Sequence, residues 1–171
     1  MGVGTPRTRV WIAVLAALAA VAVVAAGCGG SSSRAKSGVA GASHTTTSVV
    51  VKTAKVKRLG TILVNSKGFT LYMFVPDKQK KVTCKNTCAA IWPPLKVKAL
   101  QRVTAGGAAK KSLLGRDRNP GGGFVVTYNK WPLYTYVTDT KPGQVSGQRL
   151  NNSGGLWYVL SPSGKVIKTK P

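Results

Sequence analysis

The sequence contains an internal repeat, and this repeat constrains the fold more than any other feature of the chain. The segment LYMFVPDK at residues 71–78 matches LYTYVTDT at residues 133–140, an offset of 62 positions. Each copy is followed by a segment that contains tryptophan, residues 89–95 after the first copy and residues 154–160 after the second. A pattern that recurs at a fixed offset indicates duplicated structural units. The sequence therefore predicts a folded part made of two related units.

The residues from Leu59 onward have the pattern of a β protein. Short alternating apolar runs are separated by glycine, proline, asparagine and aspartate, which is typical of short strands joined by turns. We predict a mainly β fold: one compact domain over residues 59–168, made of two related antiparallel strand–turn repeats at about 59–98 and 121–168. A short helix is expected near Cys88–Trp92, and a disordered linker is expected before the domain.

Each repeat carries a tyrosine, a second aromatic residue and an aspartate at the same spacing. These residues are Tyr72, Phe74 and Asp77 in the first repeat and Tyr134, Tyr136 and Asp139 in the second. The aromatic residues of each pair are two positions apart, so they share one face of a strand. Packing in the core is their default role, and a carbohydrate-stacking platform is the alternative.

The two aspartates of the motif stand out because the chain has only three acidic residues. Two of the three occupy the same place in the repeat. We predict that both are structural and accept backbone N–H hydrogen bonds in the turn after the strand. Ligand binding is the alternative.

The composition excludes several classes of site. Lysine and arginine total 26 against three acidic residues, which gives a net charge of +23, and the chain has no glutamate and a single histidine, His44. Catalysis by paired carboxylates and histidine, a histidine-rich metal site and an acidic calcium loop all lack the residues that they need. No nucleophile elbow, phosphate-binding loop or dinucleotide fingerprint is visible. We therefore expect a protein that is not an enzyme, with no catalytic residue, no metal ligand and no cofactor.

The first 28 residues have the layout of a lipoprotein export signal. Arg7 and Arg9 precede an unbroken apolar run over Val10–Ala26, which is the order found in secretory signal peptides. The run is short for a membrane span, and Cys28, which follows small residues, resembles the lipidated cysteine of a bacterial lipobox. We predict a lipoprotein signal peptide at residues 1–27, a lipid such as palmitate on Cys28, and a location at the cell membrane, lipid-anchored on the extracytoplasmic face. An uncleaved anchor helix and a signal peptide cut at another small residue are the alternatives.

Residues 28–58 have the composition of a flexible linker. Small, hydroxyl-bearing and basic residues dominate this stretch, and such segments bury too little apolar surface to fold. Residues 45–53 alone fit the pattern of an edge strand. The basic residues are expected either to lie on an anionic surface or to keep a solvated linker extended by charge repulsion.

Cys84 and Cys88 are the remaining reactive pair. Thiols this close together outside the cytoplasm generally form a disulfide, and a separation of four residues can bring the two Cα atoms within bridging distance. We predict a Cys84–Cys88 disulfide. The alternative is a redox or copper-handling site, in which the two thiolates and Met73 hold Cu(I).

Several runs in the repeats resemble a known family. GFTLYMFVPDK, CKNTCAAIWPPL, VVTYNKWPLYTYVTD, PGQVSGQ and WYVLSPSG occur in the order found in the bacterial secreted-repeat lipoproteins, which carry a Tyr-x-aromatic-x-x-Asp motif. The resemblance covers residues 59–167 and implies an exported, usually lipid-anchored protein of uncharacterised function. Lys130 departs from the pattern, because the family usually has glycine at this position.

The positive charge indicates the kind of partner. Two groups of bases stand out: Lys78, Lys80, Lys81 and Lys85 after the first motif, and Lys110, Lys111, Arg116 and Arg118 before the second repeat. Export removes nucleic acid as a partner, so the remaining polyanions are phospholipid head groups and wall polymers that bear phosphate or uronate groups. We expect a non-enzymatic envelope protein that contacts the membrane through its lipid anchor and docks on an anionic cell-wall polymer or on another envelope protein. A basic surface that only reflects composition is the alternative.

Overall fold

The computed structural model of the chain describes residue 1, residues 47–77 and residues 81–171. The predicted signal peptide, the predicted lipidation site at Cys28 and most of the predicted linker lie outside the described residues, as do Lys78 and Lys80. The described part from residue 47 onward belongs to one compact unit.

Within the described residues, three sheets, one short α-helix and two 3-10 turns at Val75–Asp77 and Lys111–Leu113 make up this unit. Its elements are β1 (Val49–Val56), β2 (Gly60–Asn65), β3 (Tyr72–Phe74), α1 (Thr87–Ile91), β4 (Lys96–Val97), β5 (Val103–Ala105), β6 (Leu114–Arg118), β7 (Phe124–Tyr128), β8 (Trp131–Pro132), β9 (Asn151–Asn152), β10 (Gly155–Leu160) and β11 (Val166–Ile167). The strand orders are β2–β1–β5, β11–β10–β3 with β9 beside β10, and β4–β7–β6 with β8 beside β7. The mainly β fold with a short helix near Cys88 confirms the predicted fold class, and the pairing of β1 with β5 is parallel rather than antiparallel.

A β-hairpin begins each repeat. In the first repeat, β1 pairs antiparallel with β2. Val56 lies opposite Gly60 next to the turn, and Val51 lies opposite Asn65 at the far end of the pairing. In the second, β6 pairs with β7. The two hairpins precede their motifs at similar distances, so β1 is the counterpart of β6 and belongs to the first repeat.

The folded domain therefore starts earlier than the sequence analysis placed it. The predicted linker ran to residue 58, and residues 45–53 were expected at most to form an edge strand. Instead β1 lies between β2 and β5 in the middle of its sheet, and its Val51 is completely buried. The boundary was misplaced because the strand carries two exposed lysines, Lys52 and Lys55, and these give it the composition of the basic linker before it.

Two apolar clusters lie on opposite faces of β2, β3 and β10. Met73 belongs to the first cluster, whereas its neighbours Tyr72 and Phe74 belong to the second. Leu63 and Ile62 of β2 are divided in the same way. Because successive side chains of a strand point to opposite faces, strands buried on both faces need unbroken apolar runs. This requirement explains the runs ILV, LYMF and WYVL.

The motif strand of each repeat pairs with the tryptophan segment of the other repeat. Tyr72 in β3 lies opposite Val159 in β10, and Tyr134 forms the equivalent bridge with Pro94. Between the two motif strands, the backbone N–H of Tyr72 donates to the carbonyl of Tyr134 at 2.8 Å, and Tyr134 returns the bond at 2.9 Å. The two repeats are thus interlaced about an approximate twofold axis that passes between these tyrosines.

The turn between β7 and β8 has an unusual residue for its backbone conformation. Asn129 and Lys130 form this two-residue connection, and their φ angles are 46° and 69°. Two positive φ angles are the pattern of a type I′ turn, whose second position favours glycine. Lys130, the residue that departs from the family pattern, therefore sits in the left-handed region at a cost of roughly 1–2 kcal/mol.

We expect Lys130→Gly to raise the stability of the domain. Relief of the left-handed conformation exceeds the extra chain entropy that glycine gives the unfolded state, so the net gain is about 0.5–1 kcal/mol. Thermal and urea unfolding measure the change. Lys165→Gly, at an exposed lysine without a positive φ, is the control and should lower stability. A Tm for Lys130→Gly at or below that of the wild type would contradict the assignment of strain.

Candidate functional site

The tyrosines and aspartates of the repeated motif meet in the interior of the domain. The Tyr72 hydroxyl donates to Oδ2 of Asp139 at 2.6 Å, and the Tyr134 hydroxyl donates to Oδ2 of Asp77 at 2.6 Å. Each tyrosine thus binds the aspartate of the opposite repeat, and we call the two contacts the crossed pairs. All four side chains are buried.

The second oxygen of each aspartate binds the turn that follows its strand. Oδ1 of Asp77 accepts the backbone N–H and the hydroxyl of Thr83, both at 2.7 Å. Oδ1 of Asp139 accepts the backbone N–H of Ser146 at 3.0 Å. These contacts have the form that the sequence analysis predicted. The tyrosine donors were missed, and the one sequence signal for them is that tyrosine and aspartate recur together in both copies.

Burial governs the protonation of the crossed pairs. It raises the pKa of Tyr72 and of Tyr134 far above the ordinary value, and the neighbouring carboxylates raise both further. Both hydroxyls therefore remain protonated donors. Burial also raises the pKa of Asp77, against the hydrogen bonds from Tyr134 and Thr83, which lower it. Because these carboxylates are enclosed and hydrogen-bonded, neither is placed to meet a substrate or a solvent cation.

Four aromatic rings form a stacked column beside the crossed pairs. The order is Phe74, Trp157, Trp92 and Tyr136, with centroid distances of 4.2, 3.8 and 4.0 Å between successive rings. Phe74 and Tyr136 each stack on the tryptophan of the opposite repeat, so the column follows the same crossing. Three of the four rings are buried, and Tyr136 is partly exposed. The structure thus places Phe74, Trp92 and Trp157 in the core, where no sugar could stack on them.

Gly147 closes over the column and was not singled out by the sequence analysis. A Cβ at this position would lie 2.6 Å and 2.8 Å from two ring atoms of Trp92 and 3.0 Å from a ring atom of Tyr72. The backbone N–H of Gly147 also donates to the Tyr72 hydroxyl at 3.3 Å. Only glycine leaves room for this close approach, and its place in the run PGQVSGQ is the signal that could have found it.

Cys84 and Cys88 are joined by a disulfide just before and within α1, with their Cα atoms 5.2 Å apart. Cys84 is 2% exposed and lies in the same apolar cluster as Trp92. Met73 lies in the other cluster, so the two cysteines and Met73 do not form the copper site considered as an alternative. Among the residues that the structure describes, no group of three or more histidine, cysteine or acidic side chains is placed to hold a metal ion.

A cleft of about 250 Å³ opens on the surface beside the disulfide. Lys85 and Asn86 of the disulfide loop line one part of it, Lys96 of β4 lines another, and Asn119 comes from the turn between β6 and β7. Apolar surface comes from Ala89, Pro93, Pro94 and Pro120. We call this site the basic cleft, since it is lined by two lysines and no acidic residue.

Described members of the two groups of bases that the sequence singles out line different depressions of the surface. Lys85 of the first group lines the basic cleft, whereas Lys111 and Arg116 of the second group line a separate depression of about 260 Å³. The partner of Lys85 in the cleft is Lys96, which the sequence analysis did not single out. Lys96 reaches the cleft because β4 pairs with β7, a contact between residues far apart in the sequence.

The family model that matches this chain follows the structural repeats. A family described as a secreted repeat of unknown function matches twice, over residues 53–96 and over residues 117–161. The chain belongs to this family. Each match begins in the first strand of a hairpin, β1 or β6, and runs through the motif to the tryptophan segment. No curated protein and no solved structure matches the chain.

Membership among the secreted repeats indicates an extracytoplasmic protein. Within the described ranges, no helix has the length and apolar character needed to cross a membrane.

The crossing predicts which residues of this secreted repeat are energetically coupled. Tyr72→Phe should lower the free energy of unfolding by about 1.5–3 kcal/mol, because a buried carboxylate loses a charge-assisted hydrogen bond. A double-mutant cycle of Tyr72→Phe with Asp139→Asn should give a coupling energy of about 1–2 kcal/mol. The cycle of Tyr72→Phe with Asp77→Asn, within one motif, should give less. Urea unfolding at constant pH measures all the variants.

Tyr136→Phe is the matched control for this cycle. Phenylalanine already fills the equivalent place in the first repeat, at Phe74, so the change should alter stability by no more than about 0.5 kcal/mol. Stronger coupling of Tyr72 to Asp77 than to Asp139 would contradict the crossed arrangement.

Proposed function

We propose that this secreted repeat is a non-enzymatic, lipid-anchored protein of the cell envelope whose domain docks on an anionic wall polymer. The observation that carries the proposal is the distribution of charge. None of the three aspartates is exposed, since Asp77 and Asp139 are buried and Asp117 is partly buried. Lysines and arginines therefore dominate the charge of the described surface, and a field of one sign concentrates polyanions near it.

The basic cleft is the proposed point of contact with the polymer. Lys85 and Lys96 supply positive charge, Asn86 and Asn119 supply amide groups for hydroxyls, and the prolines supply apolar surface. This combination suits a sugar or glycerol unit that carries a phosphate or a carboxylate. A concave site of about 250 Å³ fits one unit of a polymer better than it fits the broad surface of another envelope protein.

A binding role is supported over a catalytic or redox one. The motif carboxylates are buried in the crossed pairs, so they do not face the cleft. Thiol–disulfide exchange requires access of a thiolate to a sulfur atom. Cys84 is 2% exposed and Cys88 is partly exposed, which restricts attack to the Cys88 end of the disulfide. We therefore assign the disulfide the task of holding Lys85 and Asn86 at the edge of the cleft.

Cys28→Ala tests the proposed anchor. Acyl chains contribute about 0.8 kcal/mol per buried methylene, so their loss should move the protein from the membrane fraction to the medium or leave an unprocessed precursor. Fractionation, detergent partitioning and mass spectrometry of the N-terminal peptide measure this. Ser31→Ala is the control and should remain in the membrane fraction. Unchanged size and partitioning of Cys28→Ala would contradict lipid anchoring.

The double variant Lys85→Gln/Lys96→Gln tests the basic cleft. Its affinity for polyglycerol phosphate or polygalacturonate should fall by about tenfold or more, as expected for the loss of charge-assisted hydrogen bonds. The control Lys67→Gln/Lys165→Gln removes the same number of charges at exposed sites outside the cleft and should have a smaller effect, which added salt removes. Equal losses in the two variants would contradict the cleft, and no binding of either polymer by the wild type would contradict the polymer proposal.

A further inference from the structure

Leu100 is the most exposed large apolar side chain of the folded domain, with an exposed fraction of 94%. It lies in the connection between β4 and β5, within residues 98–102, which we call the Leu100 turn. A single exposed leucine is common on protein surfaces. The argument for a role therefore depends on how this turn is held, where it lies and which charges surround it.

Hydrogen bonds hold the Leu100 turn in a fixed shape. The backbone N–H of Gln101 donates to the carbonyl of Lys98 at 3.1 Å, and the N–H of Lys98 donates to the side chain of Gln101 at 3.1 Å. The guanidinium of Arg116 donates to the carbonyls of Ala99 and Gln101 at 2.5 Å and 3.1 Å. The turn is thus braced on both sides of Leu100, which projects its side chain into solvent.

The Leu100 turn lies where the chain enters the domain. The side chain of Gln101 donates to the carbonyl of Thr47 at 2.7 Å, and the N–H of Val49 donates to the carbonyl of Arg102 at 2.8 Å. Thr47 is the first described residue of the domain, and residues 29–46 separate it from Cys28. An anchor at Cys28 would therefore pull on the same edge of the domain that carries Leu100.

The charged side chains that flank Leu100 are all positive. Lys98 and Arg102 lie two positions away on either side, both exposed, and Arg116 braces the turn. Asp117 follows Arg116 in β6, so its side chain lies on the opposite face of that strand. A depression of about 340 Å³ between Thr47 and the turn is lined by Lys98, Leu100 and Gln101. An apolar tip ringed by bases is complementary to a layer with anionic head groups over an apolar phase.

We propose that the Leu100 turn is a second membrane contact, which docks on the anionic phospholipid surface that holds the anchor. Leu100 enters the boundary between head groups and acyl chains, while Lys98, Arg102 and Arg116 bind the phosphates. A lipid surface is favoured over a wall polymer because a hydrated polymer offers no apolar phase for the leucine. This inference rests on the proposed lipid anchoring in one respect, since the anchor identifies the membrane on which the turn docks.

Reconstitution of the full chain tests the proposal. The protein is purified from membranes and incorporated into vesicles of equal parts phosphatidylglycerol and phosphatidylcholine, or of phosphatidylcholine alone. Leu100→Trp reports on the turn, and Val137→Trp, at a residue 53% exposed within the second motif between Tyr136 and Asp139, is the matched control. The spectrum of the wild type is subtracted, because Trp92, Trp131 and Trp157 of the processed chain also emit.

In the anionic vesicles, the emission of Trp at position 100 should shift to shorter wavelength and be quenched by lipids with brominated acyl chains. High salt or Lys98→Gln/Arg102→Gln in the same chain should reverse the shift. The control at position 137 should keep the emission of an indole in water.

Flotation of the vesicles separates the possible failures. A protein that floats with both vesicle types while position 100 shows no shift retains the anchor and overturns this inference alone. A protein that floats only with anionic vesicles and shows the shift supports the turn and contradicts the anchor. Absence of flotation with either type overturns both, and equal shifts at positions 100 and 137 would overturn the assigned orientation.

Discussion

Two buried hydrogen bonds from tyrosine to aspartate cross from each repeat to the other, and the domain is arranged around them. A carboxylate taken out of water needs partners, and loss of one partner costs more than the bond itself contributes. Asp77 and Asp139 find one partner in their own turn and one in the opposite repeat. The backbone pairing and the aromatic column follow the same crossing. Neither repeat can therefore complete its core by itself.

The same two aspartates also shape the outside of the molecule. On the surface of so basic a chain, each would lie among lysines and cancel part of their charge. Their burial leaves the lysines and arginines with almost no competing negative charge. The motif that organises the interior thus also keeps two of the three acidic side chains off the cationic surface on which the proposed docking to an anionic polymer and to a membrane depends. One pair of residues links the stability of the fold to the proposed recognition.

Sequence reasoning reached the local features of this fold. The apolar runs predicted strands, and the register of Asp77 and Asp139 predicted their bonds to the following turns. The crossing was out of reach, because pairing within a repeat and pairing between repeats bury the same apolar faces. The basic cleft was hidden for a similar reason, since Lys85 and Lys96 come together only through the disulfide loop and the pairing of β4 with β7.

The interlacing of the repeats also dictates the order in which an exported chain can fold. When a chain emerges N-terminus first, β3 is exposed well before β10, the strand that must pair with it. Contacts between distant segments form late, after the entropy of closing a long loop is overcome. The disulfide, which joins residues only four apart, has no such delay. In such a chain the N-terminal half therefore waits for its final partners, and the domain closes only when the last tryptophan segment arrives.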